Sequence, residues 1–215
     1  MPKKENITKY QQLIFDKIEP KIYPWRFITD PYKVLISEFM LHRTRANQVV
    51  PVYCSVIEKY PTIDTFVQEK PEILTDQMES LGLFWRITGM IKAIEILFKQ
   101  FNQVPSDYAS LIEVEGIGPY IAGAVVCFSK NKPMALIDTN TVRVTGRVFG
   151  LDLRGEARRR KIVKETIEFV TPENNPRRYY YSLIDLAHQI CHKTNPDCQN
   201  CPINLICQFY QSTPA

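Results

Sequence analysis

Four of the six cysteines, Cys191, Cys198, Cys201 and Cys207, are spaced C-x6-C-x2-C-x5-C. Such short separations limit how far each sulfur can stray, so the four thiols must gather around one small object. Four thiolates without paired histidines suit a thiol-loving centre, either a [4Fe–4S] cluster or zinc. A structural zinc site usually presents two close ligand pairs. Here only Cys198 and Cys201 are that close, which favours the cluster. Disulfides are the remaining use of cysteine, and they belong to oxidising compartments. The opening segment MPKKENITKY carries no apolar signal stretch, so the expectation is a cytosolic protein with reduced thiols. Cys54 and Cys127, within PVYCSVI and GAVVCFS, are expected in the core. His188 and His192 flank Cys191, but four thiolates already complete a site.

A second chemical signal is Val114-Glu115-Gly116-Ile117-Gly118-Pro119-Tyr120-Ile121-Ala122. Gly116 and Gly118 permit a tight turn with positive φ and close approach of another backbone. Pro119 suits the first turn of a new helix, whose free N–H groups and positive dipole end face outward. Together they form a docking point for one phosphate, read through the backbone and without sequence preference. A plain helix–turn–helix connection uses the same residues. Further along, Asp138 precedes a polar–apolar helix and suits an N-cap. Asn140 suits capping as well.

These three segments, in this order, resemble the endonuclease III and MutY superfamily of DNA glycosylases. The cysteine spacing is similar to that superfamily's C-terminal cluster loop, and VEGIGPYIAGAV to its helix-hairpin-helix. Leu136-Ile137-Asp138-Thr139-Asn140-Thr141-Val142-Arg143-Val144 resembles its aspartate segment. Val114-Glu115 replaces the family's Leu-Pro, and Ile121 replaces its threonine. Leu35-Ile36-Ser37-Glu38-Phe39-Met40-Leu41-His42-Arg43-Thr44 resembles the MutY stretch L-S-E-V-M-L-Q-Q-T and the thymine-glycosylase version ending in R-R-T. The resemblance extends from about Pro24-Trp25-Arg26 to Cys207.

The resemblance implies roles. Asp138 becomes the carboxylate that stabilises positive charge developing on a sugar as its N-glycosidic bond breaks, and that orients or deprotonates water. Asn140 would support it. Tyr120 stands where bifunctional members hold a lysine, and a phenol cannot form their imine. Base removal without strand cleavage is therefore expected. Glu38 corresponds to the carboxylate that acts on the base in MutY, with an exposed helical glutamate as the plainer alternative. Leu41, His42 and Arg43 would fill the gap left by an extruded nucleotide. Arg43 suits guanine O6 and N7, although phosphate binding by Arg43 and Arg45 is as natural a use. Arg143, Gly116 and Gly118 complete the implied DNA contacts.

The elements that must position these residues are helical. Helices are expected at Pro31–Leu41, Ala46–Lys59, from Pro71 to a stop at Gly82, Trp85–Phe101, Asp107–Glu113, Pro119–Ser129, Asn140–Val148, Gly155–Val170 and Pro176–Ile190. Ile87, Ile91, Ile94, Leu97, Phe98 and Phe101 recur at helical spacing. Strand patterns do not persist, though VVPVY is rich in β-branched residues. Both termini look loose. Trp25 and Tyr179–Tyr181 read as packing, and Arg158-Arg159-Arg160-Lys161 as a solvated helix face.

At 215 residues, 45% hydrophobic and 23% charged, the chain has the composition of a soluble globule with a real core. No apolar run approaches the roughly 20 residues of a membrane span. A net charge of +4 is compatible with an acidic partner. The fold class expected is all-α, in two helical lobes. The resemblance divides them into a six-helix lobe over 28–133 carrying the hairpin, and a second lobe of 1–27 plus 134–215 holding the cluster loop at 191–207. It also implies a groove between them, with Asp138 and Tyr120 at its mouth. The implied cofactor is a [4Fe–4S] cluster, and the implied partner is double-stranded DNA with a mispaired or deaminated base. A monomer in a prokaryotic cytoplasm, at the nucleoid, is the expected setting. The implied reaction removes thymine or uracil opposite guanine. Adenine removal opposite 8-oxoguanine, and a non-enzymatic cluster-bearing DNA-binding protein, are the alternatives. The short stretch after Cys207 leaves no room for the extra domain with which MutY recognises the oxidised guanine.

Overall fold

The computed structural model describes residues 2–82 and 84–212, and every regular element among them is helical. Two compact units emerge. One is the continuous stretch Tyr23–Lys130. The other joins the N-terminal residues up to Ile22 with those from Asn131 onward.

In the second of these units, α1 (Lys4–Lys17) is a full amphipathic helix rather than a loose terminus. Ile7, Tyr10 and Ile14 recur on one face and are buried. They meet the C-terminal helix α11 (Pro176–Gln189), with the Tyr10 ring edge-on to Tyr179 at 6.1 Å and to Phe149 at 5.3 Å. Such aromatic pairs contribute about 0.5–1.5 kcal/mol beyond their burial. The backbone N–H of Lys21 donates to the buried Asp185 carboxylate at 2.7 Å.

The tyrosines Tyr179, Tyr180 and Tyr181 are buried, in keeping with their reading as packing. The helix α9 (Thr139–Val148) packs against α10 (Lys161–Val170), α11 and α12 (Gln208–Ser212). Val142, Ala157, Val163 and Ile167 form its core cluster.

The expected helix over Gly155–Val170 is interrupted. Gly155 takes φ +63, Ala157–Arg159 makes a single 3-10 turn, and Arg160 is extended before α10 begins. The Arg160 guanidinium holds that break by donating to the carbonyls of Asp152 at 2.8 Å and Arg154 at 2.6 Å. A basic run read as one solvated helix face is therefore partly a clamp on a loop.

In the continuous unit, α2 (Pro31–Leu41) starts with Pro31 in its first turn and with Asp30 accepting from the Tyr32 N–H. From Val34 to Met40 every residue is buried, Ser37 and Glu38 among them. It packs against α3 (Ala46–Lys59), α6 (Phe84–Phe101) and α8 (Pro119–Lys130).

Between these lie the short helices α4 (Ile63–Val67), α5 (Pro71–Gln77) and α7 (Tyr108–Ile112). Gly82 stops the chain after a 3-10 turn with φ +65. VVPVY lies inside α3, where buried Val49, Tyr53 and Val56 override its β-branched character. Cys127 is buried as expected. Cys54 is exposed, because it sits on the outer face of α3 beside the buried Tyr53. Phe101 ends α6 in solvent rather than in the core.

Candidate functional site

Asp138 forms the N-cap of α9. Its backbone is extended, and its Oδ1 accepts from the N–H groups of Asn140 at 3.0 Å and Thr141 at 2.7 Å. Thr141 closes a reciprocal capping box by accepting from the Asp138 N–H at 3.0 Å. The second carboxylate oxygen, Oδ2, accepts from the Asn140 side-chain amide at 2.9 Å. Each oxygen thus has a fixed donor, while the residue stays half-buried.

Asn140 is held in turn. Its Oδ1 accepts from Arg143 Nη2 at 3.1 Å, one helical turn further on. Arg143, expected among the DNA contacts, directs its guanidinium into protein: Nε donates to the Cys191 carbonyl at 2.7 Å, and Nη2 also to the Ala187 carbonyl at 3.0 Å. Burial lowers its pKa from the usual guanidinium value. A continuous polar chain therefore runs Asp138, Asn140, Arg143, Cys191.

That chain ends at the cysteine loop. Cys191, Cys198, Cys201 and Cys207 all line one recess, whose other walls include Val144, Ile190, Ile203 and Phe209. All four are free thiols. Burial pushes the Cys201 thiol up to about 11, with further upward push from Cys191, Cys207 and Cys198. Cys198 and Cys207 shift the same way for the same first cause. Bare thiolates crowded there repel one another, and a cationic centre relieves that repulsion.

Among the described residues, no group of three or more His, Cys, Asp or Glu is gathered as a single metal ion would need. The recess nonetheless brings together four thiols, the donor set that either a [4Fe–4S] cluster or zinc takes. Arg147, on the same face of α9 as Arg143, donates to Cys191 Sγ at 3.2 Å and to the His192 and Lys193 carbonyls. Its guanidinium also stacks 4.7 Å from the Phe209 ring centre. Both histidines of this region, His188 and His192, are exposed.

The other candidate residues belong to the continuous unit. Gly116 takes φ +91 in the turn between α7 and α8, closed by Ile117 N–H donating to the Val114 carbonyl at 3.0 Å. Gly118 has ordinary φ, so it does not supply the turn. What it offers is space: a Cβ placed there would meet nothing within 4 Å. Tyr120 follows in the first turn of α8, half-buried. Glu38 is buried on α2, which sets aside a merely solvated helical glutamate.

Leu41, the last residue of α2, is half-buried, while His42, Arg43 and Arg45 after it are exposed, and Arg43 sits in the left-handed region at φ +63. That conformation is uncommon for a non-glycine residue.

Two arginines escaped sequence reasoning. Arg147 follows Arg143 by four residues, a spacing that puts both on one helix face, so the signal was present. Arg86 gave none. It is buried near the start of α6, where it donates to the His42 carbonyl and to Thr44 Oγ1 at 2.9 Å. Longer contacts of 3.5 Å reach the carbonyls of Leu81 and Gly82.

The chain is similar to proteins of known activity. It is 30% identical over 222 residues to the thymine/uracil-DNA glycosylase of Pyrobaculum aerophilum, covering 98% of this chain and 96% of that one. The adenine DNA glycosylase of Buchnera aphidicola (subsp. Baizongia pistaciae) is 34% identical over 191 residues, or 88% of this chain. The chain spans only 54% of that protein's length. The solved structure of a thermostable thymine-DNA glycosylase superposes with a TM-score of 0.85 at 25% identity, over 97% of this chain and 98% of that one. No family model matches. The chain belongs to the helix-hairpin-helix superfamily of DNA glycosylases, the group of endonuclease III and MutY.

Proposed function

We propose that this chain is a monofunctional DNA glycosylase of base excision repair. It hydrolyses the N-glycosidic bond of thymine or uracil opposite guanine and leaves an abasic site. The observation that carries this reading is the Asp138 carboxylate, with both oxygens already oriented by Asn140 and Thr141. As the base departs, positive charge builds on the sugar, and a preorganised carboxylate stabilises it without having to reorient. The same group orients or takes a proton from the attacking water. Asn140 and Arg143 act as positioning residues behind it.

Tyr120 supplies no amine, so no imine with the sugar forms and the strand stays intact. Glu38, buried on α2, faces the edge of an extruded base in this reading. The turn at Gly116 and Gly118 receives a phosphate, and Leu41, His42, Arg43 and Arg45 meet the opened duplex. Cys191, Cys198, Cys201 and Cys207 hold a [4Fe–4S] cluster. When bound, it would hold the 191–207 loop together, and hydrolysis draws no electron from it.

Adenine removal is the second reading, favoured by the similarity to the Buchnera protein together with Glu38 and Asn140. Duplexes containing G:T, G:U, A:8-oxoguanine and A:G, each treated with alkali after incubation, separate the two. Alkali-labile sites are expected at T and U only, and cleavage confined to A would overturn the proposal. Borohydride should trap no covalent adduct with the parent protein. With Tyr120→Lys, which places an amine at the sugar, it should trap one.

A further inference from the structure

Most large apolar side chains in the continuous unit are buried, but Trp85 is 61% exposed and its neighbour Phe84 54%. Exposed indole is costly, at about 25 cal/mol per Å² of apolar surface left in water. This one is not loosely attached. Its ring stands edge-to-face against the His42 ring, with centroids 6.3 Å apart and planes at 87°. Beneath the pair lies Arg86, whose buried guanidinium ties the His42 carbonyl and Thr44 hydroxyl to the Leu81–Gly82 turn. Next in the chain, Arg43 is left-handed, and both Arg43 and Arg45 are exposed cations within three residues of His42. The result is an exposed aromatic pair, tied down through Arg86, in a segment that carries two exposed arginines. Nucleic-acid proteins use such a combination to stack on bases while cations track the backbone.

We infer that Trp85 is a base-stacking residue, positioned by Arg86 through the 42–44 segment, that packs against the base stack where one nucleotide has left the duplex. The inference rests on the proposed function, and it adds a residue that governs preference for opened over intact DNA. A flat indole face matches any base, so the contact discriminates by exposure of the stack, not by sequence.

Binding to a duplex carrying an abasic analogue opposite guanine, compared with the matched duplex, tests it. Trp25 is buried, so the fluorescence difference between the parent and Trp85→Phe reports Trp85 alone. The abasic duplex should quench that signal, and the matched duplex should do so far less. Trp85→Ala should lose roughly tenfold or more in affinity for the abasic duplex and little for the matched one, while Trp85→Phe retains most of it. Arg86→Lys, checked for folding by circular dichroism, should keep matched binding and lose the selective quenching. Unchanged preference in Trp85→Ala would sink the stacking role and leave the glycosylase reading standing. A parent protein with no preference for the abasic duplex would sink both.

Discussion

Asp138 performs two tasks that one substitution can separate. As a cap its side chain accepts from two backbone N–H groups, which asparagine does nearly as well. As the proposed counter-charge to a developing cation, it needs its negative charge. Asp138→Asn should therefore keep its thermal midpoint within a few degrees while single-turnover base removal falls by about 10²–10³ or more, on the scale of preorganised electrostatic groups. Duplex binding, read by anisotropy, should hold or tighten, since a charge repelling the phosphates is gone. Full activity in Asp138→Asn would end the mechanism. The cap was legible in the sequence because Asp before a polar–apolar run has a local cause. The partnership with Arg143 was not, since its acceptors Ala187 and Cys191 are more than forty residues away.

At the scale of elements, the α7–α8 turn assigns different work to its two glycines. Gly116→Val must force a β-branched residue to φ +91 and should cost about 1–3 kcal/mol in denaturant unfolding. Gly118→Val meets open space at ordinary φ and should leave stability nearly unchanged. Under the proposed function its side chain would occupy the place of the approaching phosphate. Affinity for matched and mismatched duplexes should then fall alike, because a backbone contact reads no bases. Loss of mismatch preference alone would count against this role. Most helices were readable from periodicity and caps: Asp30 and Pro31 mark α2, and Gly82 marks a stop. The N-terminal helix α1 was missed because only three of its residues are buried in an otherwise polar stretch. Its helicity depends on α11, which no local window contains. Period placed the end of α6 at Phe101 but could not tell that this last ring faces solvent.

For the whole molecule, the cysteine loop is the feature most easily checked. Protein purified without oxygen should be yellow-brown and carry about four irons per chain. Cys201→Ser should lose much of that iron and lower DNA affinity more than it alters the rate of the glycosidic step. Stoichiometric zinc in anaerobic protein would overturn the cluster. The spacing made the gathering of these thiols readable, but not their polar connection to α9, which arises only when α9 and α11 pack. The division into units has a temporal consequence. The stretch Tyr23–Lys130 is uninterrupted, so all its packing partners have left the ribosome once Lys130 has. By contrast α1, made before the rest of its unit, pairs with a helix more than 150 residues downstream, as the edge-on contact of the Tyr10 and Tyr179 rings shows. At about 5–20 residues per second, that wait lasts roughly ten to thirty seconds. Throughout it, the apolar face of α1 has no native cover, and a nascent chain in that interval is the form most open to chaperones and proteases.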